Sequence, residues 1–150
     1  MEFQRKFLVN QVPDLSNYSN QYITQGYIST DPIIRIRQVD DQYFVAMKSF
    51  GHLVREKFRM PINKEQFESL EKKIESHFIR KSRYFIPIGD GLTAKLDIYE
   101  EYLDGLLTIE VNFESRTQAE HFSAPEWFGP DITHDSRYRN NNLAKFGIPE

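Results

Sequence analysis

Glu2-Phe3-Gln4-Arg5-Lys6-Phe7-Leu8-Val9, read as a β-strand, turns Glu2, Gln4 and Lys6 to one side and Phe3, Arg5 and Phe7 to the other, because side chains alternate along a strand. A carboxylate, an amide and an ammonium then stand in a row on one face. The arrangement returns far along the chain, where Leu107, Ile109, Val111 and Phe113 share a face and Thr108, Glu110, Asn112 and Glu114 take the other. Charges of both signs oppose a greasy face, and function has to account for that.

Working outward, the strand pattern recurs at Gln21–Ile28, Ile33–Val39, Tyr43–Ser49, Leu53–Met60, Phe78–Pro87, Leu92–Glu101 and Leu106–Glu114. Thr30-Asp31-Pro32, Asp40-Asp41, Phe50-Gly51, Gly89-Asp90-Gly91 and Asp104-Gly105 supply turn chemistry between them. Gaps this short imply hairpins and antiparallel pairing. Asn63 and Gln66 have capping-box spacing, and Phe67, Leu70, Ile74 and Phe78 follow as an apolar stripe, so a helix is expected there. Ser115 with Gln118 predicts a second, shorter one. The tail from Trp127 is expected to be irregular, ending in a short helix near Asn141–Phe146.

The chain has 150 residues, a formal net charge of −3 and no cysteine. One domain, 1–150, is expected at this length. Near-neutral charge recruits neither nucleic acid nor an anionic membrane, and no aromatic–basic interleave supports nucleic-acid binding. The absence of cysteine excludes disulfides and thiolate metal sites. No apolar run has the roughly 18 residues of a membrane span, and no signal peptide is apparent, so a cytoplasmic protein is expected. His52, His77, His121 and His134 are isolated and lack metal-pair spacing. Neither a G-x-S-x-G elbow nor a glycine-rich phosphate loop is present. Trp127 reads as a packing anchor.

The cations carry the chemistry. Arg35 and Arg37 alternate with isoleucines; Lys48 opposes the Tyr43/Val45/Met47 face; Lys81 and Arg83 share a face, and Lys6 joins them from the first strand. Directed into one cavity, these six could not coexist without anions, because unpaired buried charge is very costly. Glu2, Asp97, Glu110 and Glu56 are too few to neutralise them together with Arg55 and Lys95. A polyanion suits such a wall, since Arg forks and Lys ammonium groups match phosphate oxygens. The competing reading is a solvated sheet face, as antiparallel sheets commonly have.

In order along the chain, these elements resemble the CYTH family, the triphosphate tunnel metalloenzymes that include class IV adenylate cyclases and thiamine triphosphatases. The resemblance rests on Glu2-Phe3-Gln4-Arg5-Lys6 as the E-x-E-x-K strand and on Gln25-Gly26-Tyr27, Arg35-Ile36-Arg37 and Lys48-Ser49. It continues through Arg55-Glu56, Lys81-Ser82-Arg83-Tyr84, Leu96-Asp97, Glu110-Val111-Asn112 and Pro125-Glu126-Trp127-Phe128-Gly129. It implies a mainly β (α+β) fold: an eight-stranded antiparallel barrel around a charged tunnel, with amphipathic helices packed outside.

The resemblance also implies Mg²⁺- or Mn²⁺-dependent hydrolysis of tripolyphosphate or a related triphosphate, and it assigns roles. Lys6, Arg35, Arg37, Lys48, Lys81 and Arg83 would hold the phosphates, with Arg137 or Arg139 at the mouth. Glu2, Asp97, Glu110 and Glu56 would hold metal; Glu2, Lys6 and Glu110 would act in catalysis. The chain departs from the family pattern at Gln4, Asn112 and Lys95, where acids are usual, and at Lys57. A unit charge pair at ~4 Å is worth about 4 kcal/mol at an effective dielectric of 20, so lost carboxylates weaken a dication site. A polyphosphate- or nucleotide-binding protein without turnover is therefore the alternative; an adenylate cyclase-like enzyme is another.

Overall fold

The computed structural model describes residues 3–48, 57–74 and 76–150. Nine antiparallel strands form one sheet: β1 Phe3–Val9, β2 Asn20–Thr30, β3 Ile33–Val39, β4 Gln42–Lys48, β5 Lys57–Ile62, β6 Ile79–Gly89, β7 Leu92–Glu100, β8 Leu107–Phe113 and β9 Phe128–Asp131. Their order is β5-β4-β3-β2-β6-β7-β8-β1-β9. Three helices complete the fold: α1 Lys64–Glu71, α2 Arg116–Glu120 and α3 Asn140–Phe146. None of the described helices is long and apolar enough to cross a membrane.

The sheet curls. Leu8 on β1 and Ile33 on β3 pack against the same apolar cluster, although five strand spacings separate β1 from β3 in the sheet. Five spacings span roughly 24 Å if flat, so the sheet bends round to bring them together. Among the described residues no hydrogen-bonded pair closes it. Its edges are β5 and β9, and each carries a proline, Pro61 and Pro130, a residue that edge strands tolerate because it donates nothing to a ladder. The ninth strand is a departure from the expected eight. Phe128-Gly129-Pro130-Asp131 has too little alternation to announce itself, and its pairing with β1 makes it a strand.

The outer face of β1, β6, β7 and β8 is apolar. Phe7, Ile86, Leu96, Ile109, Val111 and Phe113 form its core, and the stretch from α2 to β9 covers it through Ala119, Phe122, Trp127 and Phe128. Arg5 lies on this face. Its Nη1 donates to the Ala119 and Phe122 carbonyls at 3.1 Å, and its Nη2 meets Asp131 at 2.8 Å, so its charge is satisfied while its stem packs.

The expected caps form. Asn63 Oδ1 accepts from the Gln66 N–H at 2.8 Å, and Gln66 Oε1 accepts from the Asn63 N–H at 2.9 Å. α1 ends at Glu71, earlier than the apolar stripe suggested. Ile74 and Phe78 lie beyond it, against Gly26 of β2. In α2 the Ser115 side chain caps Gln118, but the Gln118 side chain accepts from the Glu114 N–H.

α3 overturns the expectation that every helix packs outside. Leu143 and Ala144 sit in one cluster with Tyr27, Ile79 and Tyr99. Strand register places these three on the charged, concave face, with Tyr27 opposite Arg35 and Tyr99 opposite Lys81. The C-terminal helix therefore closes one end of the lumen with apolar side chains.

Candidate functional site

Register carries the charged residues onto the concave face. Lys6 on β1 lies opposite Glu110 on β8, which lies opposite Lys95 on β7. Arg83 on β6 lies opposite Asp97 on β7. Arg37 faces Gln25, and Arg35 faces Tyr27 on one side and Ala46 on the other. Lys48 is half-buried on the same face at the end of β4.

This face is an interior. Lys81 is 0%, Arg83 9% and Asp97 2% exposed. Asp97 is their counter-ion: Oδ1 accepts from Arg83 Nε at 2.8 Å, and Oδ2 meets Arg83 Nη2 at 3.0 Å and Lys81 Nζ at 2.9 Å. Burial alone would raise the Asp97 carboxyl, but the two cations outweigh it and hold it well below the usual carboxylate range. Burial lowers Lys81 to about 8, with Arg83 and Arg37 adding repulsion against the attraction of Asp97. Burial also lowers Arg37, to about 10, with repulsion from Arg35 and Arg83. β3 and β6 both pair with β2, so their cations stand near one another on its concave side.

Cations dominate the strands of this face. Lys6, Arg35, Arg37, Lys48, Arg59, Lys81, Arg83 and Lys95 oppose two described carboxylates, Asp97 and Glu110, leaving six more positive than negative groups. Two buried donors on the face have no hydrogen-bond partner among the described residues: Gln25 Nε2 and Arg35 Nε. Gln25 is 0% exposed, and its Oε1 accepts from Arg37 Nε at 2.8 Å. Unpaired buried donors are costly, and an anion would satisfy both these and the surplus charge.

The structure gathers Lys6, Arg35, Arg37, Lys48, Lys81, Arg83, Asp97 and Glu110 on one face. Glu2, Glu56 and Arg55 lie outside the described residues. Arg137 is exposed, with Nη2 2.6 Å from Asp135, and so is turned to its own neighbour. Arg139 is exposed at the start of α3.

Sequence reasoning passed over Arg59 and Gln25. Arg59 lies opposite Ala46, beside Arg35, with its guanidinium 3.8 Å from the Phe44 ring centroid. Its period-two spacing within β5 was the available signal. Gln25 stood in the Gln25-Gly26-Tyr27 segment of the resemblance, but was given no role there, since a neutral amide becomes informative only once buried.

A resident Mg²⁺ or Mn²⁺ needs clustered anionic oxygens, and the described donors do not fit one. Asp97 gives both oxygens to Lys81 and Arg83, Gln4 pairs with Asn112 as two amides, and Glu110 stands between lysines. No three of the described Asp, Glu and His side chains form a metal-sized group.

No protein-family model matches the chain. It is 38% identical over 146 residues to an inorganic triphosphatase of Nitrosomonas europaea, covering 95% of this chain and 96% of that one. A crystal structure of an inorganic triphosphatase superposes with a TM-score of 0.79 at 35% identity, covering 100% and 97% of the two chains. The fold alone is shared, at 17% identity and a TM-score of 0.55, with a putative adenylyl cyclase from Hippeastrum that has a dominant triphosphatase activity; 80% of this chain and 83% of that one are covered.

Proposed function

The chain belongs to the CYTH family of triphosphatases, and on that premise we propose that it hydrolyses inorganic tripolyphosphate, or a closely related triphosphate, in the cationic lumen. The observation that carries this reading is the surplus of positive charge on the concave face beside two donors without a partner among the described residues, Gln25 Nε2 and Arg35 Nε. A phosphate chain is extended, polyanionic and rich in acceptors, and Arg and Lys meet it with fork and point charge.

Lys6, Arg35, Arg37 and Lys48 hold the phosphoryl groups, with Arg83 behind them, anchored by Asp97. Lys81 shares that carboxylate and sets the local field from within the wall. Phosphoryl transfer asks the protein for little covalent chemistry. Positioning and stabilisation of charge on the transferring oxygens supply most of the catalysis. The half-buried Glu110 carboxylate orients the attacking water and accepts its proton. Family members are generally metal-dependent; the described donors of this chain do not build the corresponding cage, so no step here passes through a metal.

Release of orthophosphate from tripolyphosphate, measured beside calorimetric binding, tests the proposal. Saturable binding with turnover above the uncatalysed rate supports it. Tight binding without release would make the chain a polyphosphate-binding protein, a reading that the Gln4–Asn112 pair favours. No binding would remove both.

A further inference from the structure

The row formed by β7, β8 and β1 at the lumen holds Lys95, Glu110 and Lys6 in register, and the β8–β1 pair next along it is Asn112 and Gln4. The described side chains here are thus two ammonium groups, one carboxylate and two amides. Lys6 commits one of its three donors, since its Nζ donates at 2.7 Å to the Tyr138 carbonyl. Lys95 has no ion-pair or hydrogen-bond partner among the described residues. It is half-buried, one strand from Glu110, and directly opposed side chains have Cβ atoms about 4.5–5.5 Å apart.

A dication at such a place would neutralise a phosphoryl oxygen. An ammonium on a flexible four-carbon stem can do so as well, with three donors. We propose that Lys95 binds a phosphoryl group of the triphosphate directly, taking the place of a divalent cation, so that this chain binds its substrate without metal. The inference rests on the triphosphatase reading and adds to it the means of charge neutralisation. Glu110 then serves as water acceptor, with its carboxylate 3.7 Å from Arg83 Nη2, and Lys95, which has no such partner among the described residues, keeps its ammonium for phosphate.

Isothermal titration of inorganic tripolyphosphate into the full chain, in EDTA and in excess Mg²⁺, decides it. The dissociation constant of the wild type is expected to be no tighter in Mg²⁺ than in EDTA. Lys95→Met should weaken binding in EDTA at least tenfold without lowering the melting temperature. Lys95→Glu should weaken it further, and Mg²⁺ should restore at least tenfold. Wild-type binding that is more than tenfold tighter with Mg²⁺ would overturn the role of Lys95 and leave the triphosphatase reading standing, as would a Lys95→Met variant that binds like the wild type. Absence of binding in both buffers would overturn the triphosphatase reading, and this inference with it.

Discussion

Lys6 and Glu110 are direct cross-strand partners on β1 and β8, yet the Lys6 ammonium donates to the Tyr138 carbonyl oxygen at 2.7 Å and feels Glu110 only through space. The 3-10 turn Ser136–Tyr138, which leads into α3, is thereby tied to the cationic wall. Burial lowers the Lys6 ammonium against the attraction of Glu110 and Asp97. On the proposed reading, the lysine is a phosphate ligand and a fastening for the C-terminal segment at once.

Lys6→Ala should therefore act twice. Turnover of tripolyphosphate, as kcat/KM, is expected to fall at least tenfold, about 1.4 kcal/mol. Limited proteolysis should cut earlier between residues 133 and 139. Unchanged kcat/KM would contradict the assignment of Lys6 to the site.

Asp97→Asn leaves Lys81 and Arg83 buried without their carboxylate. Removing one partner of a buried pair costs about 3–5 kcal/mol, readable as a shift of the urea midpoint at pH 7. In the wild type, the folded value of Asp97 lies below its unfolded one, so its contribution is present above about pH 4 and fades as pH falls toward the folded value. A loss under 1 kcal/mol in the variant would show that the counter-ion role is dispensable.

Lys81 gives opposite signs for stability and for binding in alkali. Its folded value, about 8, lies below an unfolded value near 10.4. Between the two the unfolded chain binds more protons, and the contribution of this group to stability rises with pH. The lumen meanwhile loses positive charge. Tripolyphosphate affinity should drop at least threefold from pH 7.5 to 9.5, and calorimetry showing a flat profile would refute this.

Arg59→Ala removes a lumen-side cation that is exposed and held by one ring contact. Affinity for tripolyphosphate is expected to weaken about three- to tenfold, with the melting temperature unchanged. If melting falls and affinity does not, the guanidinium serves packing on Phe44.

Gly26→Ala addresses the outer face of β2. A Cβ there would lie 2.3 Å from Ile74 Cδ1 and 2.9 Å from Phe78 Cε1, and overpacking of this kind costs about 1–3 kcal/mol. Denaturant titration should show that loss while tripolyphosphate binding of the folded variant stays intact.

Most strand positions and hairpin turns, two helix caps and the sorting of residues into an ionic and a greasy face were legible in the residues themselves; the expected Phe50-Gly51 turn lies outside the described residues, and the fifth strand, expected over Leu53–Met60, is described over Lys57–Ile62. Each depends on contacts within a few positions: alternation for a strand, a side chain three residues from a backbone N–H for a cap. Ile33–Val39 forms over the expected bounds, and the Asn63–Gln66 box closes as its spacing requires. β9 and the inward place of α3 were not legible. Phe128-Gly129-Pro130-Asp131 and Leu143-Ala144 become strand and plug only through what lies against them, β1 in one case and Tyr27, Ile79 and Tyr99 in the other.

The same division runs through the site. Sequence determined that cations and carboxylates at period two would share one side of the sheet. Only the tertiary structure decided that this side is enclosed, that Asp97 is consumed by Lys81 and Arg83, that Lys95 has no ion-pair partner among the described residues, and that Arg137 turns away to Asp135. The reason is physical. The direction of a side chain follows from its own backbone, whereas its charge partner follows from the register between strands up to about a hundred residues apart, and that register is set by the turns and by the burial of one whole face of the sheet.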